Sequence, residues 1–197
     1  MELQTPPNRL ELALQRTDEE VFEPGAVTDV PLIRFAAYVA NQRVFGWVRL
    51  DADRLTDLLN AHDELHLLEV GLESLPNGWP GTVDEVVIHR RDLVAVHATG
   101  PRGVAASWQA NQSHPVAIQS GPYLIGGYLH VPPGMDPIES ARSRPPLVPL
   151  TDALIEFWAH GRREHQSIGT IIVNRDKADW IRVVTHDDLI EGLLRPE

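Results

Sequence analysis

The sequence predicts a mainly β protein built as two tandem five-stranded barrels with short N- and C-terminal helices, and three observations carry that reading. The stretch 43–50 (RVFGWVRL) recurs as 124–131 (LIGGYLHV), with Val44, Gly46, Val48 and Leu50 answered by Ile125, Gly127, Leu129 and Val131. Each copy reads as a half-buried strand bent at its central glycine, because side chains alternate between faces and glycine inside a strand marks a bend. Gly46 and Gly127 lie 81 positions apart, and later matching segments keep nearly that offset, so the chain is an internal duplication. Finally, 197 residues fit two small units of under ~100 residues each.

Five segments follow: an acidic N-terminal arm with a helix (1–30), the first repeat (31–100), a linker (101–113), the second repeat (114–185) and a terminal helix (186–197). Asn8 caps a helix over 9–21, with Glu11 in its favourable first turn, and Pro24-Gly25 ends it. The first repeat opens with a strand over 33–40, a tight turn at Asn41-Gln42 and the bent strand 43–50. Residues 51–60 (DADRLTDLLN) form a turn or one to two helical turns that offer Leu55, Leu58 and Leu59 for burial. In the third strand, 64–74, Leu65, Leu67 and Glu69 face away from His66, Leu68 and Val70. A breaker at 76–81 (PNGWPG) precedes strands at 85–89 and 93–97, which the turn Arg90-Arg91-Asp92 joins.

The second repeat has the same order: strands at 115–119 and 123–131, a Pro/Gly/Ser-rich connection over 132–146, and a third strand over 147–158. In that strand 147–152 (LVPLTD) matches 65–70 (LHLLEV); further on, 171–175 (IIVNR) matches 86–90 (VVIHR), and 180–184 closes the unit. Thr185 then caps a terminal helix through Asp187, Leu189, Ile190 and Leu193.

Charge and composition narrow the function. The net charge of −11 opposes non-specific attraction to nucleic acid or an anionic membrane. It is unevenly spread: residues 31–100 carry 6 basic and 10 acidic side chains, whereas 114–185 carry 7 of each. There is no cysteine, which removes disulfides and thiolate metal sites. No apolar run approaches the ~20 residues of a spanning helix, and no basic-then-apolar leader follows Met1. A cytoplasmic, soluble protein that engages no membrane is expected.

Strand, glycine-bent strand, a D-x-x-x-L-x-x-x-L-N-like connection, a third strand, and a hydrophobic strand ending in a short polar turn: this order resembles the Sm-like fold of Sm proteins and Hfq, once per repeat. Residues 54–60 (RLTDLLN) are also similar to a stretch in small uncharacterised bacterial families. The resemblance implies strongly bent five-stranded SH3-like barrels whose edge strands pair between units to build rings. It also implies ligand contacts from the connection after the second strand and the turn before the last, here Asn60, His89 and Arg90 in the first repeat and Asn174 and Arg175 in the second. Arg91 and Lys177 lie in the same turns. The Arg-Gly pair of Sm proteins is absent from both turns, and the second connection (PPGMDPIESARSRPP) has no Asn.

Other constellations read as structure. His62 and His66 stand at i and i+4, but Asp63 occupies the place where the zincin pattern needs Glu, and His66 falls on a strand. Residues 160–165 (HGRREH) form a solvated hairpin loop. Trp47 and Tyr128 share one repeat position on the face opposite Gly46 and Gly127 and offer a packing face, with base stacking as the alternative. Ser107, Ser113, Ser120 and Ser140 lack a nucleophile elbow, and the glycines match neither phosphate-binding nor dinucleotide-binding patterns.

No catalytic signature emerges and no cofactor is implied, so two classes of function remain. The first is a non-catalytic assembly or protein-interaction module, a homo-oligomer or partner-bound protein whose edges join copies, for instance three chains making a ring of six barrels. The alternative is a regulator that holds RNA, a nucleotide or another anion on the turns before the last strands, against the opposing net charge.

Overall fold

The computed structural model describes residues 30–78, 80–101 and 111–189. The first repeat contains β1 (Leu32–Val39), β2 (Gln42–Arg49), α1 (Leu55–Ala61), β3 (Glu64–Ser74), β4 (Pro80–His89) and β5 (Leu93–His97). The second contains β6 (Gln112–Ser120), β7 (Tyr123–Val131), α2 (Pro137–Ser143), β8 (Leu147–Ala159), β9 (Arg162–Asn174) and β10 (Trp180–Val183). All ten strands belong to one antiparallel sheet, ordered β10-β6-β7-β8-β9-β5-β1-β2-β3-β4. Each repeat therefore places its strands fifth, first, second, third, fourth, and β9 of the second repeat pairs with β5 of the first. The sheet is not closed: among the described residues no ladder joins β4 to β5 or β9 to β10.

The bend begins with a close approach. A Cβ added at Gly46 would fall 2.9 Å from the Leu68 carbonyl oxygen, and one at Gly127 would fall 3.1 Å from that of Thr151. At Gly46 a side chain would force the neighbouring strand to shift, and at Gly127 it would fit only if that strand gave way slightly, so both places favour glycine. The strand opposite answers each glycine with a bulge, where Glu69 (φ 51°) and Asp152 (φ 46°) adopt left-handed backbone and the ladder shifts register.

This bulge corrects two sequence expectations. Leu65, Leu67 and Val70 are all buried while Glu69 is exposed, because the extra residue turns the alternation over. The bulge residues lie 83 positions apart, so Leu65 corresponds to Val148 and Glu64 to Leu147, one residue away from the expected match. Smaller differences are of boundary: the first hairpin turns at Ala40-Asn41, β4 begins at Pro80, and His165 lies in β9 rather than in a loop.

The connection after the bent strand is helical in both repeats. Leu55, Leu58 and Leu59 of α1 are buried as expected. The irregular segment expected over 132–146 instead holds α2, which has Pro in its first turn and the Asp136 carboxylate accepting from the Glu139 N–H at 2.9 Å. It buries Ser140 and Ala141 in place of leucines. Thr185 does cap the following helix, its Oγ1 accepting from the Asp188 N–H at 3.0 Å. The helix expected over 9–21, most of the linker, and the terminal helix beyond residue 189 lie outside the described residues.

Each repeat gathers its apolar face into a core that the other repeat completes. Leu147 and Ile172 of the second repeat are buried in the core of the first, while Tyr38, Leu75, Val94 and Ala95 of the first are buried in that of the second. The β5–β9 joint is thus part of both cores.

Candidate assembly interface

Two kinds of sheet edge are present: the pair joined inside the chain and the pair left at its ends. In the inner joint Ala95, Val96 and His97 face Val173, Ile172 and Ile171, and the Ala98 N–H donates to the Thr170 carbonyl at 3.0 Å. Aromatic packing anchors it, with the Tyr38 ring centroid 5.2 Å from Tyr123 and 5.5 Å from both Phe157 and His97. Such ring pairs add to the area they bury. The Tyr38 hydroxyl donates to Gln166 Oε1 at 2.8 Å and lies 3.2 Å from His97 Nε2.

Charge enters this joint only in compensated form. Arg43 lies 5.4 Å from the centre of the Phe157 ring and 2.6 Å from the buried carboxylate of Glu73. Burial, with repulsion from Arg43 as the smaller cause, pushes His97 down to about 4. Burial likewise raises the hydroxyls of Tyr38 and Tyr123. The seam is therefore built to keep its histidine neutral. Beyond it, the Leu75 carbonyl accepts from the His160 N–H at 2.8 Å, and the imidazole packs where a Cβ at Gly78 would come within 2.6 Å of Nε2.

The structure brings three of the expected ligand-binding residues together at one end of this joint. Asn60 clasps the backbone of Leu147, donating to its carbonyl at 3.0 Å and accepting from its N–H at 3.1 Å. Arg90 donates to the Asn60 carbonyl at 2.8 Å and to Asp63 at 2.5 Å. Asn174 donates to the Leu93 carbonyl at 2.9 Å. Arg175 does in the second repeat what Arg90 does in the first, donating to the carbonyls of Ala141, at 2.8 Å, and Arg142. His89 stands apart at the outer edge, 3.4 Å from Glu64, and Arg91 and Lys177 are exposed. The aromatic pair also separates: Trp47 lies under Arg34, whereas the Tyr128 hydroxyl meets His186 at the start of the last helix.

Tyr38, His97, Gln166, Arg43 and Glu73 carry the joint and were absent from the sequence expectations. Repeat comparison contains their signal, since Tyr38 corresponds to Gln119, Tyr123 to Gln42 and Phe157 to Ser74 once the ladders fix the register.

The outer edges are β4 and β10. Val83, Val87 and Val183 are large apolar residues exposed there. The ladders place Val87 in the position that Ile172 holds in the inner joint; Val87 is 46% exposed and Ile172 fully buried. Among the described residues no cluster of metal-ligating side chains occurs, and no helix is long and apolar enough to cross a membrane. The chain matches no protein-family model, no curated protein and no solved structure.

Three outcomes test these contacts. Asn60→Ala removes both bonds to Leu147 and leaves buried backbone groups unpaired, so urea denaturation should show a loss of about 1–3 kcal/mol. Arg91→Ala, at an exposed position, should stay within about 0.5 kcal/mol of the parent. His97 binds its proton more weakly folded than unfolded. Stability is therefore full above its ordinary pKa of 6.5 and falls as pH drops towards about 4. Denaturation at about pH 5 should show about 2 kcal/mol less stability than at about pH 8, and His97→Gln should remove that part of the slope.

Proposed function

We propose that this protein is a non-catalytic assembly module: two Sm-like units fused in one chain, with further copies added edge to edge. One observation carries the reading. The inner joint unites the fifth strand of one repeat with the fourth of the next, and the two strands left unpaired are again a fifth, β10, and a fourth, β4. An unpaired edge is a template for strand addition, and here the template's complement sits at the far end of the same chain.

The register is copied from the inner joint. Trp180, Ile181 and Arg182 of one copy face Ile88, Val87 and Val86 of the next, as Ala95, Val96 and His97 face Val173, Ile172 and Ile171. Val87 then takes the covered position of Ile172. The contact is head to tail, so it closes into a ring when the rotation per unit permits, with three chains supplying six units. Engagement of Asn60, Arg90, Asn174 and Arg175 within the protein supports this reading over anion binding at those turns.

Val87 tests it cleanly. Because the Arg90 N–H donates to the Asp63 carbonyl, antiparallel alternation turns the Val87 N–H away from β3 and towards the open edge. Val87→Pro removes that donor without breaking the existing ladder. Light scattering after gel filtration should give a discrete multiple of 22.0 kDa, three copies for a ring of six units, without bound nucleic acid, and Val87→Pro should give a folded monomer. A monomeric parent protein, or a Val87→Pro variant that assembles as the parent does, would overturn the proposal.

A further inference from the structure

In the assembly proposed above, the outer joint would copy the backbone register of the inner one but not its chemistry. At the inner one Leu147 is buried in the neighbouring repeat's core and the Asn60 amide clasps its backbone. At the outer one Glu64 takes the place of Leu147, as the pairing of Glu64 with His89 and of Leu147 with Asn174 shows. Arg142 takes the place of Asn60, because α1 and α2 have equal length and their carbonyls at these positions accept from the corresponding arginines, Arg90 and Arg175. An apolar residue under an amide clasp in one joint thus becomes a carboxylate facing a guanidinium in the other.

A second charge pair follows from the same register. Arg182 takes the place of His97 and stands opposite Val86, so Asp84, two residues along β4 on the same face, is its diagonal neighbour. All four side chains belong to exposed residues. Of the nearby acids, Asp176 lies 3.3 Å from Arg175 and Asp179 accepts from the Gly121 N–H at 2.9 Å. Arg182 lies 4.7 Å from the centre of the Trp180 ring and Glu64 3.4 Å from His89, contacts that the new pairs would replace or share.

We propose that the surface formed by Glu64 and Asp84 along β4 is a docking site for a second copy of this chain, with Glu64 against Arg142 and Asp84 diagonal to Arg182. This rests on the assembly reading above and adds to it that the outer joint is held in register by charge. The outer joint is therefore reversible and sensitive to ionic strength, whereas the inner joint, sealed by Tyr38, Tyr123 and Phe157, is permanent.

The test measures the association constant of the full chain by sedimentation at about 50 and about 500 mM NaCl, for the parent, Glu64→Arg, Arg142→Glu and the double variant. Association of the parent should weaken roughly tenfold or more across that range. Each single reversal juxtaposes like charges and should weaken it roughly tenfold at low salt, while the double variant should recover to within roughly threefold of the parent. Assembly that ignores salt and both reversals, yet is abolished by Val87→Pro, would overturn the charge register and leave the assembly reading standing. A parent protein monomeric at both salt concentrations would overturn both.

Discussion

A β-strand at the edge of a sheet carries a row of N–H and C=O groups that only another strand can fully satisfy. The two five-strand units present four such edges, and the chain covers two of them by laying β5 against β9. Much else depends on that pairing. It inserts Leu147 and Ile172 into the first core and Tyr38, Val94 and Ala95 into the second, so neither core is complete alone. It also explains why residues that look like a ligand set are satisfied within the protein. Asn60, Arg90 and Asn174 fasten the end of the β5–β9 joint to the adjoining strand and helix.

The two repeats share one backbone plan and differ in the side chains laid on it. Gly46 and Gly127, with the bulges at Glu69 and Asp152, impose the same backbone demands on both. At the inner joint the side chains pack as aromatics, where Tyr38 contacts Tyr123, Phe157 and His97. Their counterparts in the other repeat, Gln119, Gln42, Ser74 and Arg182, are polar. A joint sealed within the chain gains from apolar burial, but an edge open to solvent is safer polar, because a bare apolar strand invites indiscriminate pairing.

Fold order was legible because it rests on local signals: a glycine within a strand, leucines at helical spacing in 55–59, turn residues between apolar runs. The match of 171–175 to 86–90 survives in the ladders, where Asn174 and His89 occupy equivalent edge positions. What escaped was non-local. Nothing along β3 announces that Glu69 will bulge, since the cause is the neighbouring Gly46. The helix α2 was hidden because Ser140 and Ala141 stand where leucines signal α1. The partners of Tyr38 lie 59 to 128 positions away, and the pairing of the two repeats that brings them together leaves no periodicity in either.

Because the protein has no native cysteine, engineered pairs can report which strands meet between copies. The inner joint makes His97 and Ile171 a non-hydrogen-bonded pair, because the Ala98 N–H donates to Thr170 one step further along. In the proposed edge-to-edge register Val86 of one copy and Arg182 of the next would form the equivalent pair, at a separation that suits a disulfide. In the double variant Val86→Cys, Arg182→Cys, mild oxidation should link copies covalently into discrete multimers. Val87→Cys with Arg182→Cys, whose side chains point to opposite faces, should stay mostly unlinked. Equal linkage of both variants, or of neither, would contradict edge-to-edge assembly in the register of the inner joint.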